Sequence, residues 1–280
     1  MLALLKRNFL LYFRNRSGVF FSLLGALISF VLYIIFLQKN LTDAWAQLPN
    51  SGPVLNNWLM SGTLAVTGIT TSLAALTQLV KDRERQVDQD LYLSDQGKWR
   101  LPFSYLTSAI IISFFMQALM YVLMCGYFRE VPALSLLPEV LLIMLLSSLL
   151  SSLVNAIFVY FFHSVDSLGK FSTIVGTASG FLVGTYVPLG VLPDFAQLLM
   201  KCTPATYIAA LYRQVLMKEA VSETFKGRDD LLREFQEKMG VQLKWQALLT
   251  KEQTYLIVLG GILLALGIWI SLAKRSNKRK

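Results

Sequence analysis

The feature that most constrains this chain is a run of about 20 residues, 18–37, that carries no charge and is long enough to cross roughly 30 Å of hydrocarbon as a helix. Comparable apolar runs follow at 58–80, 103–126, 134–162, 171–192 and 254–272. In lipid every backbone N–H and C=O needs an internal partner, so each run is expected to be a helix. With 55% hydrophobic and 15% charged residues, the 280-residue chain reads as an all-α integral membrane protein of six spans in a single domain.

The charge distribution orients those spans. Net charge is +9, carried by Lys6, Arg7, Arg14 and Arg16 at the start and by Lys274, Arg275, Lys278, Arg279 and Lys280 at the end. Between them 17 basic residues balance 17 acidic ones, which suits lipid and topology anchors and excludes a nucleic-acid footprint. Six crossings put both termini on one side, and the basic ends mark it as cytoplasmic, in a bacterial cell membrane. Inner segments then hold 15 Lys and Arg, against Lys39 and Arg129 in the short outer loops. The basic start, first apolar run and Ala44-Trp45-Ala46 mimic a signal peptide, but the run exceeds the roughly 7–15 residues of a signal core, so it is expected to be retained as the first helix.

Around the spans, residues 1–17 place Leu4, Leu5, Phe9, Tyr12 and Phe13 at helical spacing among cations, which predicts an interfacial helix. Residues 39–57, with Pro49, Asn50, Gly52 and Pro53, read as a polar loop. The second span carries Ser61, Thr63, Thr67, Thr70, Thr71, Ser72 and Thr77. These hydroxyls either bond to their own helix or a neighbour, or line a transport path with Thr173 and Thr177 of the fifth span. Residues 81–100 hold five basic and five acidic residues, Asp95 among them, and are expected outside the bilayer. A turn around Glu130 and Pro132 follows the third span. Ser147, Ser148, Ser151, Ser152 and Asn155 in the fourth span suit close helix packing, as do Ser172, Gly176, Gly180 and Gly184 at strict four-residue spacing in the fifth.

Beyond Gly184 the chain stays apolar but meets Pro188, Pro193 and Pro204, each of which removes a backbone donor. The pieces between them are too short to span, which predicts a re-entrant hairpin over 193–217 beside a path or gate. Residues 218–252 alternate apolar and charged positions and read as an outer amphipathic segment on the membrane surface, broken near Gly240. No phosphate-binding GxxxxGK[ST] is present, so this chain is expected to bind no nucleotide or other cofactor, and His163 is the single histidine, so no metal site or catalytic set is expected. The near absence of ionisable residues in the spans disfavours an ion-coupled carrier or channel. Cys125 and Cys202, both expected near the outer leaflet, are read as separate small apolar residues rather than a disulfide.

This order of elements resembles the permease subunits of type-2 ABC exporters. The local likeness lies in Tyr186-Val187-Pro188-Leu189-Gly190-Val191-Leu192-Pro193-Asp194-Phe195, then Thr203-Pro204-Ala205-Thr206-Tyr207, then Arg213. The resemblance implies a homo- or heterodimer of permeases, a separate ATPase subunit that binds ATP and Mg, and alternating access. It also implies that 81–100 couples to the ATPase, with Glu84, Asp88, Asp90 and Gly97 as contacts. Tyr186, Pro188, Pro193, Phe195, Pro204 and Tyr207 are implied to form the outer gate. The long segment 218–252 departs from polysaccharide exporters, so the expected cargo is a drug, lipid or peptide, with polysaccharide or teichoic-acid export as the alternative.

Overall fold

The structure is a computed structural model that describes residues 1–45, 51–93, 97–129 and 133–279. Its elements are helical. Helix α1 (Leu2–Arg14) is followed by α2 (Arg16–Leu32), which runs through a π-helical turn, Tyr33–Leu37, into α3 (Gln38–Ala44). Then come α4 (Ser51–Glu84), α5 (Val87–Leu93), α6 (Gly97–Phe128), α7 (Leu137–Val159) and α8 (Val165–Leu182). The chain closes with α9 (Asp194–Lys201), α10 (Pro204–Leu216), α11 (Lys218–Thr224), α12 (Asp229–Lys238) and α13 (Lys251–Arg279).

Five helical stretches among the described residues are long and apolar enough to cross a membrane: Arg16–Ala44, Ser51–Glu84, Arg100–Phe128, Leu134–Val159 and Lys251–Arg275. The expected fifth span is not among them. Helix α8 carries Asp166 and Lys170 near its start and stops at Leu182, well before residue 192, because the chain reverses at Gly184. The polar loop expected over 39–57 is also shorter than its composition suggested. Helix α3 reaches Ala44, and Gly52 and Pro53 sit in the first turn of α4, where a proline lacks no helical bond. Pro49 and Asn50 lie outside the described residues, as do Asp95, Glu130 and Pro132.

Helix α4 is the axis of the molecule. At 34 residues it is about 51 Å long at 1.5 Å per residue, and α2, α6, α7, α8 and α10 all pack against it. Its small and hydroxyl residues permit this crowding. A side chain at Gly68 would press on Ser147 Oγ at 2.7 Å, where α4, α6 and α7 converge. Several buried polar groups there satisfy one another. Ser113 donates to the Gly68 carbonyl (3.1 Å), Asn155 to Ser72 Oγ and the Ile69 carbonyl (2.8 Å each), and Gln117 Nε2 to Ser148 Oγ (2.8 Å). Such bonds contribute about 0.6–2 kcal/mol each between helices in lipid and fix their register.

Helix α1 leaves Leu2, Leu10, Leu11 and Phe13 exposed and turns Leu4 and Asn8 inward. It is fastened by Arg7, whose two terminal nitrogens donate to the two oxygens of buried Asp82 at 2.8 and 2.9 Å. Tyr105 and Gln78 donate to the same carboxylate, and this fork raises the Arg7 guanidinium above its ordinary pKa.

At the far end of α4, residues 218–250 pack on protein. Phe235 of α12 meets Trp45 edge-on at 5.0 Å and Phe225 at 5.0 Å, and Phe235 and Met239 belong to the same buried cluster as Trp58. The apolar side of this segment therefore closes a small cap over the bundle, with Gly240 at φ +64 where α12 ends.

Candidate functional site

The prolines and glycines after α8 build a turn, two short helices and a closed end. At Gly184 the backbone takes φ +70, open to glycine at no steric cost, and the amides of Thr185 and Tyr186 both donate to the Gly180 carbonyl at 2.9 and 3.2 Å. The Tyr186 ring folds back onto Gly180, where an added Cβ would clash with its hydroxyl-bearing edge, and stands edge-on to Phe181 at 4.9 Å. Pro188 is buried and opens a short 3-10 turn, Leu189–Val191. Within it Gly190 lies against the Lys238 backbone so closely that a Cβ would sit 2.6 Å from its Cα. Pro193 is the N-cap of α9, and Pro204 is the first residue of α10, positions where a missing N–H costs nothing.

The two short helices differ sharply. Helix α9 keeps Phe195, Leu198 and Leu199 exposed and buries Met200. Helix α10 is enclosed by α4, α7 and α13, and its residues 206–213 are all buried. The Tyr207 hydroxyl donates to the Lys201 carbonyl at 2.8 Å and accepts from Trp245 Nε1 at 3.1 Å. The Tyr212 hydroxyl donates to Gln117 Oε1 at 2.9 Å, joining α10 to the polar seam of α6 and α7.

Arg213 organises this end. It is 1% exposed, and its guanidinium is held by carbonyl oxygens and an aromatic face. One terminal nitrogen donates to the carbonyls of Gly184 (2.8 Å) and Val183 (3.2 Å), and the other to that of Gly240 (3.1 Å). The carbon of the guanidinium stands 5.1 Å from the Trp58 ring centroid, and Trp58 Nε1 donates to the Met239 carbonyl at 2.7 Å. One side chain thus joins the last turn of α8, helix α10, the N-terminal part of α4 and the cap. Its Nε has no hydrogen-bond partner among the described residues. A cation stays buried here because several oxygens and a ring face replace its water.

The family profile described as ABC-2 family transporter protein matches residues 38–269, most of the chain. The chain belongs to the ABC-2 transporter family. A search of curated proteins gave no match. The match covers α3 to most of α13 and so includes the proline-broken helices α9 and α10, the Arg213 cluster and the loop that carries α5. As an ABC-2 permease the protein is a membrane transport component, consistent with the lack of a nucleotide-binding motif.

Within the ABC-2 chain the expected site residues fall into separate groups. Thr67 and Thr71 are buried and donate to the carbonyls of Thr63 and Thr67 in their own helix, at 2.8 and 2.6 Å. Thr70, half-buried, donates to Val66. Thr173 and Thr177 are exposed on α8 and likewise bond back to Gly169 and Thr173. Of the small-residue face, Gly176 meets another helix: its carbonyl would lie 3.2 Å from a Cβ at Gly25 of α2. Gly180 is covered by Tyr186, Gly184 makes the turn, and Ser172 is half-buried. Pro193, Pro204 and Phe195 are exposed, whereas Tyr186 and Tyr207 are buried. At the opposite end Asp90 is exposed on α5 and Asp88 is buried. Glu84 Oε1 accepts the Val165 N–H at the start of α8 (3.4 Å), and Gly97 is the first residue of α6. Cys125 and Cys202 are not joined in a disulfide.

Arg213, which the sequence marks only by its place in the motif, belongs with these residues. The signal was present: a lone cation in an otherwise uncharged apolar helix marks a functional position by its cost.

Proposed function

We propose that this chain is the membrane-spanning half of an ATP-driven exporter, moving a drug, lipid or peptide out of the cytoplasm. A separate ATPase drives alternating access in a pair of permeases. The observation that carries this reading is the family membership combined with the position of α5. A short helix with Asp90 exposed follows directly on α4, at the end of that helix remote from the proline-broken turn. A polar protein partner would dock on residues 81–100, near Glu84, Asp88, Asp90 and Gly97, while ATP and Mg stay on the partner. In this scheme α8 completes a sixth crossing, both termini are cytoplasmic, and the turn with Tyr186, Pro188, Pro193, Phe195, Pro204 and Tyr207 closes the outer end.

The experiment is affinity isolation of the chain from its native membrane followed by vesicle transport. An ATPase subunit should accompany it, transport should require ATP, and Asp90→Arg should reduce ATP-driven flux while leaving the chain folded. Isolation without an ATPase, together with flux driven by an ion gradient alone, would overturn the proposal.

A further inference from the structure

Helices α7 and α8 are consecutive in the chain and both pack on α4, yet they meet chiefly at their inner ends, where Phe171 touches Phe158 at 5.5 Å and Phe162 at 5.1 Å. Above that contact a groove of about 440 Å³ opens between them. Leu150, Val154 and Phe158 form one wall and Ile174, Ala178 and Leu182 the other. The link between α9 and α10, from Cys202 to Ala205, closes one end, so the broken hairpin that follows α8 also roofs the groove. The groove is open along its side, and Ile174 is 66% exposed into it.

The chemistry of the lining selects its occupant. No Lys, Arg, Asp, Glu or His lines it among the described residues. Three of its polar side chains already use their protons within the protein: Asn155 donates to Ile69 and Ser72, Ser179 to Gly176, and Thr203 to Leu199, which leaves the Ser151 hydroxyl and the Cys202 thiol. A peptide brings backbone N–H and C=O groups that need partners at membrane depth, and a cationic drug brings a charge that needs a counter-charge. A cationic drug finds no counter-charge here and a peptide backbone finds too few partners, whereas a hydrocarbon chain asks only for apolar contact. On a membrane permease, the medium that reaches an open lateral groove is lipid itself.

We infer that the groove between α7 and α8 holds a single hydrocarbon tail of an amphipathic lipid. The inference rests on the permease reading, but lipid occupancy can be read without transport. The test reconstitutes the intact complex in vesicles containing a phospholipid with a photoreactive group on one acyl chain and maps the crosslinks by mass spectrometry. Crosslinks at Val154, Ile174 and Ala178 should exceed those at Leu256, Leu263 and Leu264 on the exposed face of α13 by at least about fivefold. Ala178→Trp should fill the groove and abolish that excess in a chain that still retains its ATPase. Equal labelling of both faces would overturn the inference. So would efficient disulfide formation between Ile174→Cys residues of two copies without lipid labelling, because a second permease would then cover the groove. Loss of the ATPase with preserved labelling would instead count against the exporter reading and leave the lipid site standing.

Discussion

Replacing Arg213 by methionine isolates the energy with which the cap end is held. The substitution keeps an apolar stem and removes the donors to Val183, Gly184 and Gly240, at 3.2, 2.8 and 3.1 Å. A buried carbonyl left without a donor costs about 1–3 kcal/mol, and a desolvated cation over an indole contributes about 2 kcal/mol. Opposing this, removing the buried charge recovers several kcal/mol of desolvation. Three stranded carbonyls and the lost indole contact together cost about 5–11 kcal/mol against that gain, so we take about 3 kcal/mol for the local loss. At about 1.4 kcal/mol per tenfold, that is roughly a 100-fold increase in opening. Hydrogen exchange on the purified complex reads it directly at the Thr185 and Tyr186 amides, which bond to Gly180, and at Val241, which bonds to Gln236. Arg213→Lys keeps the charge without the planar fork and should fall between the two. Unchanged exchange at these three amides in the methionine variant would refute the clamp.

Two further outcomes follow from the same geometry. Gly180→Leu should displace the Tyr186 ring, because a Cβ at 180 occupies its place; about 1–3 kcal/mol of overpacking is expected, and Tyr186→Ala in the same chain should restore thermal stability in part. Asp82→Asn should release α1 by weakening the Arg7 fork, and limited proteolysis within residues 1–16 should then rise severalfold while the cap amides keep their protection.

What could be read from the sequence was whatever depends on local composition. The uncharged run at 18–37 and the serine cluster of α7 declare themselves through residue type and spacing, and the prolines at 193 and 204 mark helix starts because a ring without an N–H fits there. What could not be read depends on contacts distant in sequence. The alternating charges of 218–252 describe an amphipathic helix equally well on lipid or on protein. The contact with protein comes from Trp58, which binds the Met239 carbonyl across 181 residues of chain. Gly180 likewise fits a helix seam by spacing, yet its open face is filled by Tyr186, brought back by the turn at Gly184. Helix α8 ends early for the same reason: the reversal at Gly184 lies inside an apolar run that composition alone extends to residue 192.

The two ends of α8 are both secured to α4 or to its immediate partners, and this bears on how a push at one end could be felt at the other. At its start, the Val165 N–H meets Glu84 Oε1, where a carboxylate also complements the positive end of the helix dipole. At its finish, the Val183 and Gly184 carbonyls are held by Arg213, whose guanidinium rests on Trp58 of α4. Glu84 and Trp58 are separated by about 39 Å of continuous helix at 1.5 Å per residue. Helices α4 and α8 therefore form a ladder with a rung at each end, and α7 stands apart from α8 across the groove. Under the exporter reading, a force on α5 reaches α4 through Arg85 and Gln86, the latter in the left-handed conformation at φ 60. A tilt of α4 would carry α8 with it and change the width of the α7–α8 groove before any bond at Arg213 breaks. Glu84→Gln removes the charge of the inner rung alone. It should lower ATP-driven flux while leaving exchange at Thr185 and Val241 unchanged, and a matching rise in exchange at those amides would show that the two rungs are not separate.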